Sequence, residues 1–196
     1  MYVTLLGGFL GSGKTTILVE LAKAAADAGL KAAIIVNEAG DVGIDGERIS
    51  VEGHEVVEIA KGCICCSLSG TLRDTLININ REFQPDLFLL EPTGLALPHQ
   101  VEEIIRLSRI QPDKVLKVGV VDAYRFDLLL SKKRNFIEKQ LSGSQIILIN
   151  KCDLVDASII RQAQENISQI SPDSDIFAVS ALTGQGLDEV IRGMLP

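Results

Sequence analysis

The residues with the clearest chemistry lie in a glycine-rich turn between a short apolar strand and a helical segment. The turn begins at Gly8 and runs Gly-Phe-Leu-Gly-Ser-Gly-Lys-Thr-Thr. Its glycines let several backbone N–H groups face one anion, and the helix that follows adds the positive end of its dipole. The Lys14 ammonium can reach the β- and γ-phosphates, and the Thr15 hydroxyl can bind Mg²⁺. The pattern predicts a P-loop that holds a nucleoside triphosphate with Gly11, Ser12, Gly13, Lys14, Thr15 and Thr16.

A second polar segment, Asn150-Lys151-Cys152-Asp153, indicates which base is bound. It follows the apolar strand predicted over 145–149, and open α/β sheets place ligands at such carboxyl strand ends. A carboxylate at Asp153 can accept hydrogen bonds from the N1–H and the exocyclic amine of guanine, and adenine offers neither. The Lys151 stem can lie over the base, and Asn150 can tie this loop to the P-loop.

A third loop follows the last predicted strand and supports the same base. Its residues Ser180, Ala181 and Leu182 have backbone N–H groups placed to meet the guanine O6. The two loops, in this order after a P-loop, favour GTP over ATP. An ATP-dependent enzyme is the alternative, and competition between ATP and GTP distinguishes the two.

Residues 91–94, Glu-Pro-Thr-Gly, end another apolar strand and predict the hydrolysis chemistry. Glu91 can hold Mg²⁺ through water or orient the attacking water, and the Gly94 N–H can touch the γ-phosphate. Together with Lys14 they are the candidate catalytic residues. The acidic segment 37–45 has the composition of a loop ordered by the γ-phosphate and Mg²⁺, and which of its acids approaches the metal stays open. No arginine finger is evident, so we expect slow intrinsic turnover.

A cysteine cluster is the next most informative feature of the chain. Cys63, Cys65 and Cys66 follow Gly62 and can present two or three thiolates to one borderline cation such as Zn²⁺. Neighbouring side chains diverge in a regular element, so a turn is needed to bring these thiols together. Glu38 is the candidate for a further ligand. The alternative is that the cysteines pack as small apolar residues.

Composition and charge exclude several classes of protein. With 196 residues, 46% of them hydrophobic and 23% charged, the chain is predicted to be globular. Its net charge of −7 argues against a nucleic-acid partner, because phosphates would be repelled. No apolar run approaches the roughly 20 residues of a membrane span, and no secretory signal is evident. Clustered reduced thiols then favour the cytoplasm.

The elements that position these residues alternate between strands and helices. This order predicts one α/β domain over 1–196, a doubly wound and mostly parallel sheet of P-loop type with helices on both faces. The predicted strands are 2–7, 31–37, 86–90, 115–121, 145–149 and 176–179, with a hairpin at 47–51 and 55–59, and the predicted helices are 14–28, 67–81, 98–109, 125–141, 157–170 and 187–194.

Taken together, the motifs resemble those of the CobW-like family of metal-handling P-loop GTPases, relatives of the nickel-insertion GTPases of urease and hydrogenase. The resemblance rests on residues 8–16, 37–46, 62–66, 91–94 and 150–153. It implies a metallochaperone or metal insertase whose GTP state controls binding and release of Zn²⁺ first, or of Co²⁺ or Ni²⁺. It also implies metal ligation by Glu38, Cys63, Cys65 and Cys66.

The same resemblance implies a metalloenzyme or corrinoid-protein client and allows a nucleotide-dependent homodimer. Two departures from the family pattern stand out. A second C-terminal domain is usual, and we expect none in this chain, which is either a single-domain member or a piece ending at the domain boundary. Leu97 stands where an acid is common. The alternative function is a GTP-switched regulatory or protective module for such a client, with structural cysteines.

Overall fold

Strands and helices alternate along the chain, as the sequence predicts. The computed structural model describes residues 1–36, 48–51, 54–58, 68–92 and 97–196. Its strands are β1 (Tyr2–Gly8), β2 (Ala32–Val36), β3 (Arg48–Val51), β4 (His54–Glu58), β5 (Leu87–Glu91), β6 (Lys114–Asp122), β7 (Ile146–Asn150) and β8 (Asp175–Ala178). Its helices are α1 (Lys14–Asp27), α2 (Leu68–Glu82), α3 (Pro98–Leu107), α4 (Phe126–Leu141), α5 (Ala157–Ile170) and α6 (Leu187–Met194), with a 3₁₀ turn at Cys152–Leu154.

The described strands form one eight-stranded sheet in the order β3-β4-β2-β5-β1-β6-β7-β8. Every neighbouring pair is parallel except β3 and β4, which form an antiparallel pair at one edge. The expected doubly wound, mostly parallel sheet is therefore confirmed. Because parallel strands point the same way, the residues that end β1, β5, β6 and β7 reach one edge of the sheet.

Helices cover both faces of this sheet, which explains why the inner strands β2, β5 and β7 are apolar almost throughout rather than alternating. On one face, α1 and α6 pack on side chains such as Leu6, Leu89 and Leu148. On the other face, α2 and α3 cover Leu5 and Phe88 and their neighbours, while α4 and α5 cover a cluster around β7. Burying each such side chain contributes on the order of 1.5–3 kcal/mol to folding. This packing holds the strand ends in place.

Two boundaries differ from the sequence prediction and matter for the site. Strand β6 continues one residue past 121, and α4 begins one residue after 125. Asp122 thereby becomes the last residue of a central strand, opposite Asn150 in the register of β7. Arg125 lies in the short turn between β6 and α4.

Within the described ranges, the helices are too short and too polar to cross a membrane. The longest of them, α4, has 16 residues, fewer than the roughly 20 that a bilayer core requires.

Candidate functional site

The glycine-rich turn joins β1 to α1, and two of its glycines are required by close approach. Gly13 has φ +94°, and a Cβ there would lie 2.2 Å from Nδ2 of Asn150. Gly8 has φ +148°, and a Cβ there would lie 2.2 Å from the carbonyl oxygen of Val120 on β6. Both distances are far below contact, so neither position accepts a side chain without displacing its neighbour. The turn therefore packs closely against the middle of the sheet.

Three successive carbonyl oxygens of this turn are each held by a side chain from a neighbouring strand end. Arg125 Nη2 donates to Leu10 O at 3.1 Å, Lys151 Nζ to Gly11 O at 2.7 Å and Asn150 Nδ2 to Ser12 O at 2.8 Å. In a planar trans peptide the N–H points opposite to the C=O. Each held carbonyl therefore also fixes the direction of the N–H in its own peptide unit.

The Ser12 N–H, which belongs to the middle peptide unit, closes a turn on Phe9 O at 3.1 Å. The loop is thus folded into a tight curl before α1 begins. Backbone curls of this kind, followed by a helix N-terminus, form anion sites. The geometry suits the phosphate group that the sequence predicts.

The buried carboxylate of Asp122 connects two of the three donors. Its Oδ2 accepts from Arg125 Nε and from Lys151 Nζ, both at 2.8 Å. Burial alone would raise the pKa of Asp122, but the hydrogen bonds from Lys151 and Arg125 and their charges outweigh it and hold the pKa below its ordinary value. The carboxylate is therefore ionised at neutral pH and pairs with both cations.

Lys14 and Glu91 meet on the opposite side of the turn. The Lys14 ammonium lies 3.4 Å from Glu91 Oε1, and both side chains are buried. It also lies 3.5 Å from Phe9 O, a long and weak contact. The other oxygen of Glu91, Oε2, is buried with no hydrogen-bond partner among the described residues. A buried charged oxygen without a partner is costly, so this position favours a ligand that supplies positive charge or a donor.

Two oxygen donors of the kind that Mg²⁺ binds lie at the start of α1 and at the end of β5. Thr15 is exposed at the first turn of α1, and Glu91 ends β5 with its unpartnered carboxylate oxygen. Hydroxyl, carboxylate and phosphate oxygens with water are the ligands that Mg²⁺ prefers. The structure thus offers a donor set for the ion that the sequence predicts.

Asn150 joins three segments of the predicted base-binding region. Its side chain donates to Ser12 O, as the sequence led us to expect, and its Oδ1 accepts from the Ala181 N–H at 2.9 Å. Ser180 is fully buried and its hydroxyl accepts from the Thr183 N–H at 3.2 Å, which shapes the loop. The phosphate turn and the loop after β8 are therefore fixed to one side chain.

The remaining predicted base contacts face solvent. Asp153 is exposed, and Leu182 is 84% exposed. Lys151 has φ +66° at the residue before the 3₁₀ turn, an uncommon conformation, and its side chain reaches back toward Gly11 and Asp122. Thr16 is exposed beside Thr15. The predicted base contacts Asp153 and Leu182 are therefore open to a ligand.

Several predicted residues lie outside the described part of the chain. These are Glu38, Cys63, Cys65, Cys66 and Gly94. In the described part, no group of three or more His, Cys, Asp or Glu could hold a metal ion. Cys152 is buried there, and burial, with the nearby Asp153 charge, raises the pKa of its thiol. It packs in the core as a small apolar side chain.

Sequence reasoning missed Asp122 and Arg125. The available signal was position, because Asp122 directly follows the apolar run 115–121, just as Glu91 and Asn150 follow theirs. A polar residue at the carboxyl end of a buried strand is a candidate ligand or positioning residue in any open α/β sheet. The Arg125 contact with Leu10 spans 115 positions and has no comparable signal.

Comparison with known proteins identifies the family of this domain. Residues 2–178 match the family described as CobW/HypB/UreG, nucleotide-binding domain. The chain is 38% identical over 155 residues to the zinc chaperone YeiR of Escherichia coli, covering 76% of this chain and 46% of that protein. It is 32% identical over 195 residues to the zinc chaperone CobW of a Sinorhizobium species, covering 84% and 54%.

A solved structure extends the likeness to three dimensions. The crystal structure of zinc-bound YjiA GTPase from E. coli superimposes with a TM-score of 0.64 at 27% identity, covering 91% of this chain and 57% of that one. The chain thus spans about half the length of the curated relatives it matches.

Proposed function

Because this chain belongs to the CobW/HypB/UreG family of nucleotide-binding domains, we propose that it is a GTP-hydrolysing metallochaperone or metal insertase. Its nucleotide state would control the binding and delivery of a transition metal, Zn²⁺ first, with Co²⁺ or Ni²⁺ as the other candidates. The zinc chaperones among its relatives support this proposal. The structural observation behind the proposed coupling of nucleotide and metal is that β2 ends between the last residues of β4 and β5.

The nucleotide would lie along the carboxyl edge of the sheet. The curl at Gly11–Gly13 would hold the phosphates, and Lys14 would exchange its contact with Glu91 for the β- and γ-phosphates. Asp153 would accept from the guanine base, with Ser180, Ala181 and Leu182 on its O6 side and the Lys151 stem over the ring. Asn150 already fixes the two loops relative to each other.

Hydrolysis would use the β5 side of this site. Thr15 and Glu91 would hold Mg²⁺, Glu91 through water, and the ion supplies charge neutralisation at the phosphates when bound. Lys14 would stabilise the charge on the transferred phosphoryl group, and Glu91 would orient the attacking water. The Gly94 N–H would contact the γ-phosphate. In this proposal Lys14 and the Gly94 N–H contact the terminal phosphate directly, and Glu91 acts on it through Mg²⁺ and water.

The register of β2 is the observation that links this phosphate chemistry to metal. Val36, the last residue of β2, pairs with Glu91 of β5 on one side and with Glu58 of β4 on the other. Glu38 follows Val36 by two positions, and Cys63 follows Glu58 by five. The strand ends that precede the predicted metal ligands, Val36 and Glu58, therefore lie in the first and second strands from Glu91. This neighbourhood supports coupling between the γ-phosphate and Glu38, Cys63, Cys65 and Cys66.

The client and setting complete the proposal. A protein that loads a metal under GTP control needs a recipient, and we propose a metalloenzyme or a corrinoid protein in the cytoplasm. A homodimer formed with nucleotide would be one way to cover the exposed base contacts Asp153 and Leu182. These are properties of a whole protein, and the chain spans about half of its relatives' length.

A metal titration of the reduced chain tests the proposal. Zn²⁺ affinity, measured against a competing chelator, should differ at least about tenfold between a non-hydrolysable GTP analogue and GDP, which is about 1.4 kcal/mol of coupling. Co²⁺ and Ni²⁺ arms rank the metals. Cys65→Ser and Cys66→Ser should abolish that difference while keeping GDP affinity. Equal Zn²⁺ affinity in both nucleotide states would overturn the chaperone function, and preferential binding of ATP would overturn the choice of base.

A further inference from the structure

We propose that Asp122 is a positioning residue for the nucleotide, acting through Arg125 and Lys151 on the backbone of the phosphate turn. This inference rests on the proposed binding of a guanine nucleotide and adds to it residues outside the predicted P-loop and base loops. Asp122 contacts no ligand in it. Its carboxylate places two cations, and those cations place two successive carbonyl groups.

The carboxylate is itself fixed by the turn that follows β6. Its Oδ1 accepts from the backbone N–H of Tyr124 at 3.0 Å and of Arg125 at 3.3 Å. With Oδ1 held in this way, Oδ2 faces the two cations in one orientation. A buried, backbone-anchored carboxylate is a rigid reference point for longer side chains.

Arg125 bridges Asp122 and the phosphate turn with two different nitrogens. Its Nε donates to Asp122 while Nη2 donates to Leu10 O. The guanidinium also lies against the turn, because a Cβ at Gly11 would be 3.0 Å from Nη2. A planar fork can make both contacts at once, whereas a lysine ammonium at the end of a flexible stem makes them with no fixed geometry.

Lys151 makes the parallel connection one residue further along the turn. Its ammonium contacts both Asp122 Oδ2 and Gly11 O. Without the Asp122 charge, two cations would face each other across a neutral group, and both are about one-third exposed and able to move into water. The Leu10 and Gly11 carbonyls would then lose their donors together. The phosphate turn would have to be ordered by the nucleotide itself, at a cost in affinity.

The assignment is to positioning rather than to core stability, and the exposure of Arg125 makes the two separable. Arg125 is 38% exposed, and its charged end lies at the turn. Removing that charged end takes away hydrogen bonds to the turn and little apolar burial. Asp122→Asn is expected to lower the stability of the empty protein in either case, but a purely structural role would leave the nucleotide affinity of the folded Arg125 variants unchanged.

The test is nucleotide affinity in four variants of the full chain, with a fluorescent N-methylanthraniloyl GDP as probe. Asp122→Asn should weaken binding by about 10–30-fold and Arg125→Met by about 5–10-fold, from the usual worth of charge-assisted hydrogen bonds. Arg125→Lys should not restore affinity, because it keeps the charge and loses the fork. Arg134→Met, an exposed arginine of α4 that pairs with Glu138, is the matched control and should bind as wild type.

Steady-state GTP hydrolysis provides the second readout. We expect KM to rise as affinity falls while kcat changes less than about threefold, because these hydrogen bonds shape the ground state and lie across the turn from Lys14 and Glu91. The unfolding midpoint of nucleotide-free Arg125→Met should fall by no more than that of Asp122→Asn, because Lys151 still pairs with the buried carboxylate. Wild-type affinity in Asp122→Asn and Arg125→Met, or full rescue by Arg125→Lys, would overturn this proposal alone. Failure of the unmodified chain to bind GTP or GDP would overturn the proposed function as well.

Discussion

The two sides of the phosphate turn are built differently. On the base side, formed by Asp122, Arg125, Asn150 and Lys151, donors hold three successive carbonyls at 2.7–3.1 Å. On the β5 side, formed by Lys14 and Glu91, a single buried ion pair spans 3.4 Å and one carboxylate oxygen has no partner among the described residues. One side is closely hydrogen-bonded and the other is left incomplete.

This difference separates recognition from switching. A preorganised base side avoids the cost of ordering the loop when a nucleotide binds. The β5 side keeps two buried charges in a loose pairing that a phosphate and a cation would relieve. The β5 side also borders β2, whose end lies between Glu91 and Glu58. We infer that the charge of the ligand is sensed on the β5 side, where a buried carboxylate oxygen of Glu91 has no partner among the described residues.

Replacing Lys14 should have the largest effect, because it removes the cation on which the β5 side depends. Lys14→Ala should lower GTP hydrolysis by about 100–1,000-fold, the usual cost of losing one preorganised charge at the reacting group. Phosphate release under single turnover measures this. Lys23→Ala is the control, since Lys23 is exposed on the same helix beside Glu20. A rate of GTP hydrolysis by Lys14→Ala within tenfold of the wild-type rate would show that Lys14 on the β5 side is not a catalytic residue.

Replacing Asp153, the predicted base contact that follows Lys151 by two positions, should change nucleotide specificity more than the rate of hydrolysis. Asp153→Asn replaces an acceptor pair by one acceptor and one donor, which suits the N1–H and the C2 carbonyl of xanthine. GDP affinity should fall by about 100-fold, the worth of two hydrogen bonds to a charged group, while XDP affinity rises.

Competition between GDP and XDP against one fluorescent probe measures the Asp153→Asn exchange. Asp156→Asn, an exposed acid that precedes α5, is the matched control and should keep the preference for GDP. An unchanged preference in Asp153→Asn would mean that the base is read elsewhere.

Neutralising Glu91 tests the metal on the β5 side. Glu91→Gln should lower hydrolysis by about tenfold and raise the Mg²⁺ concentration needed for half-maximal rate, because a charged ligand becomes neutral. GDP affinity without Mg²⁺ should not fall. Glu102→Gln provides the comparison, since Glu102 pairs with Lys117 at 3.2 Å in an ordinary ion pair. An unaltered Mg²⁺ dependence would place the ion elsewhere.

The smallest expected effect concerns stability and pH on the base side. The pKa of Asp122 is lowered in the folded chain, so its ionised form stabilises the fold above the ordinary value of 3.8, and this contribution is lost as pH falls through the lower folded pKa. Asp122→Asn should cost about 1 kcal/mol at pH 7, since both partner cations are partly exposed.

Urea unfolding of the nucleotide-free protein across pH 7 to about 3 measures that contribution. The difference in unfolding free energy between wild type and Asp122→Asn should stay constant from pH 7 to about pH 5. It should then decrease below the ordinary pKa of aspartate. An equal difference in unfolding free energy at pH 7 and at about pH 3 would contradict an ionised Asp122 in the folded state.

Much of the fold could be predicted, because each apolar run is local in sequence. The segments 115–121 and 145–149 are uniformly apolar or nearly so, as strands buried on both faces must be, and both are strands in the structure. The glycines of the phosphate turn and the Asn150 contact with Ser12 O were also foreseeable. These features depend on residue type at fixed spacing.

The Asp122 connections could not be predicted, because they depend on strand order. Only the placement of β6 between β1 and β7 brings Asp122 beside Asn150 and the phosphate turn. Arg125 and Leu10 are 115 positions apart, and nothing local in either segment indicates the other. The roles assigned to Glu38 and the three clustered cysteines stay predictions, since those residues lie outside the described ranges.

The held carbonyls of Leu10, Gly11 and Ser12 have a consequence for timing. They shape the part of the loop that would bind the α- and β-phosphates. These two phosphates remain in GDP after hydrolysis. We therefore expect GDP to stay bound after cleavage and to dissociate faster from Asp122→Asn than from the wild type. The phosphate turn would then keep one conformation before and after cleavage, so that the loss of the γ-phosphate is felt mainly on the β5 side.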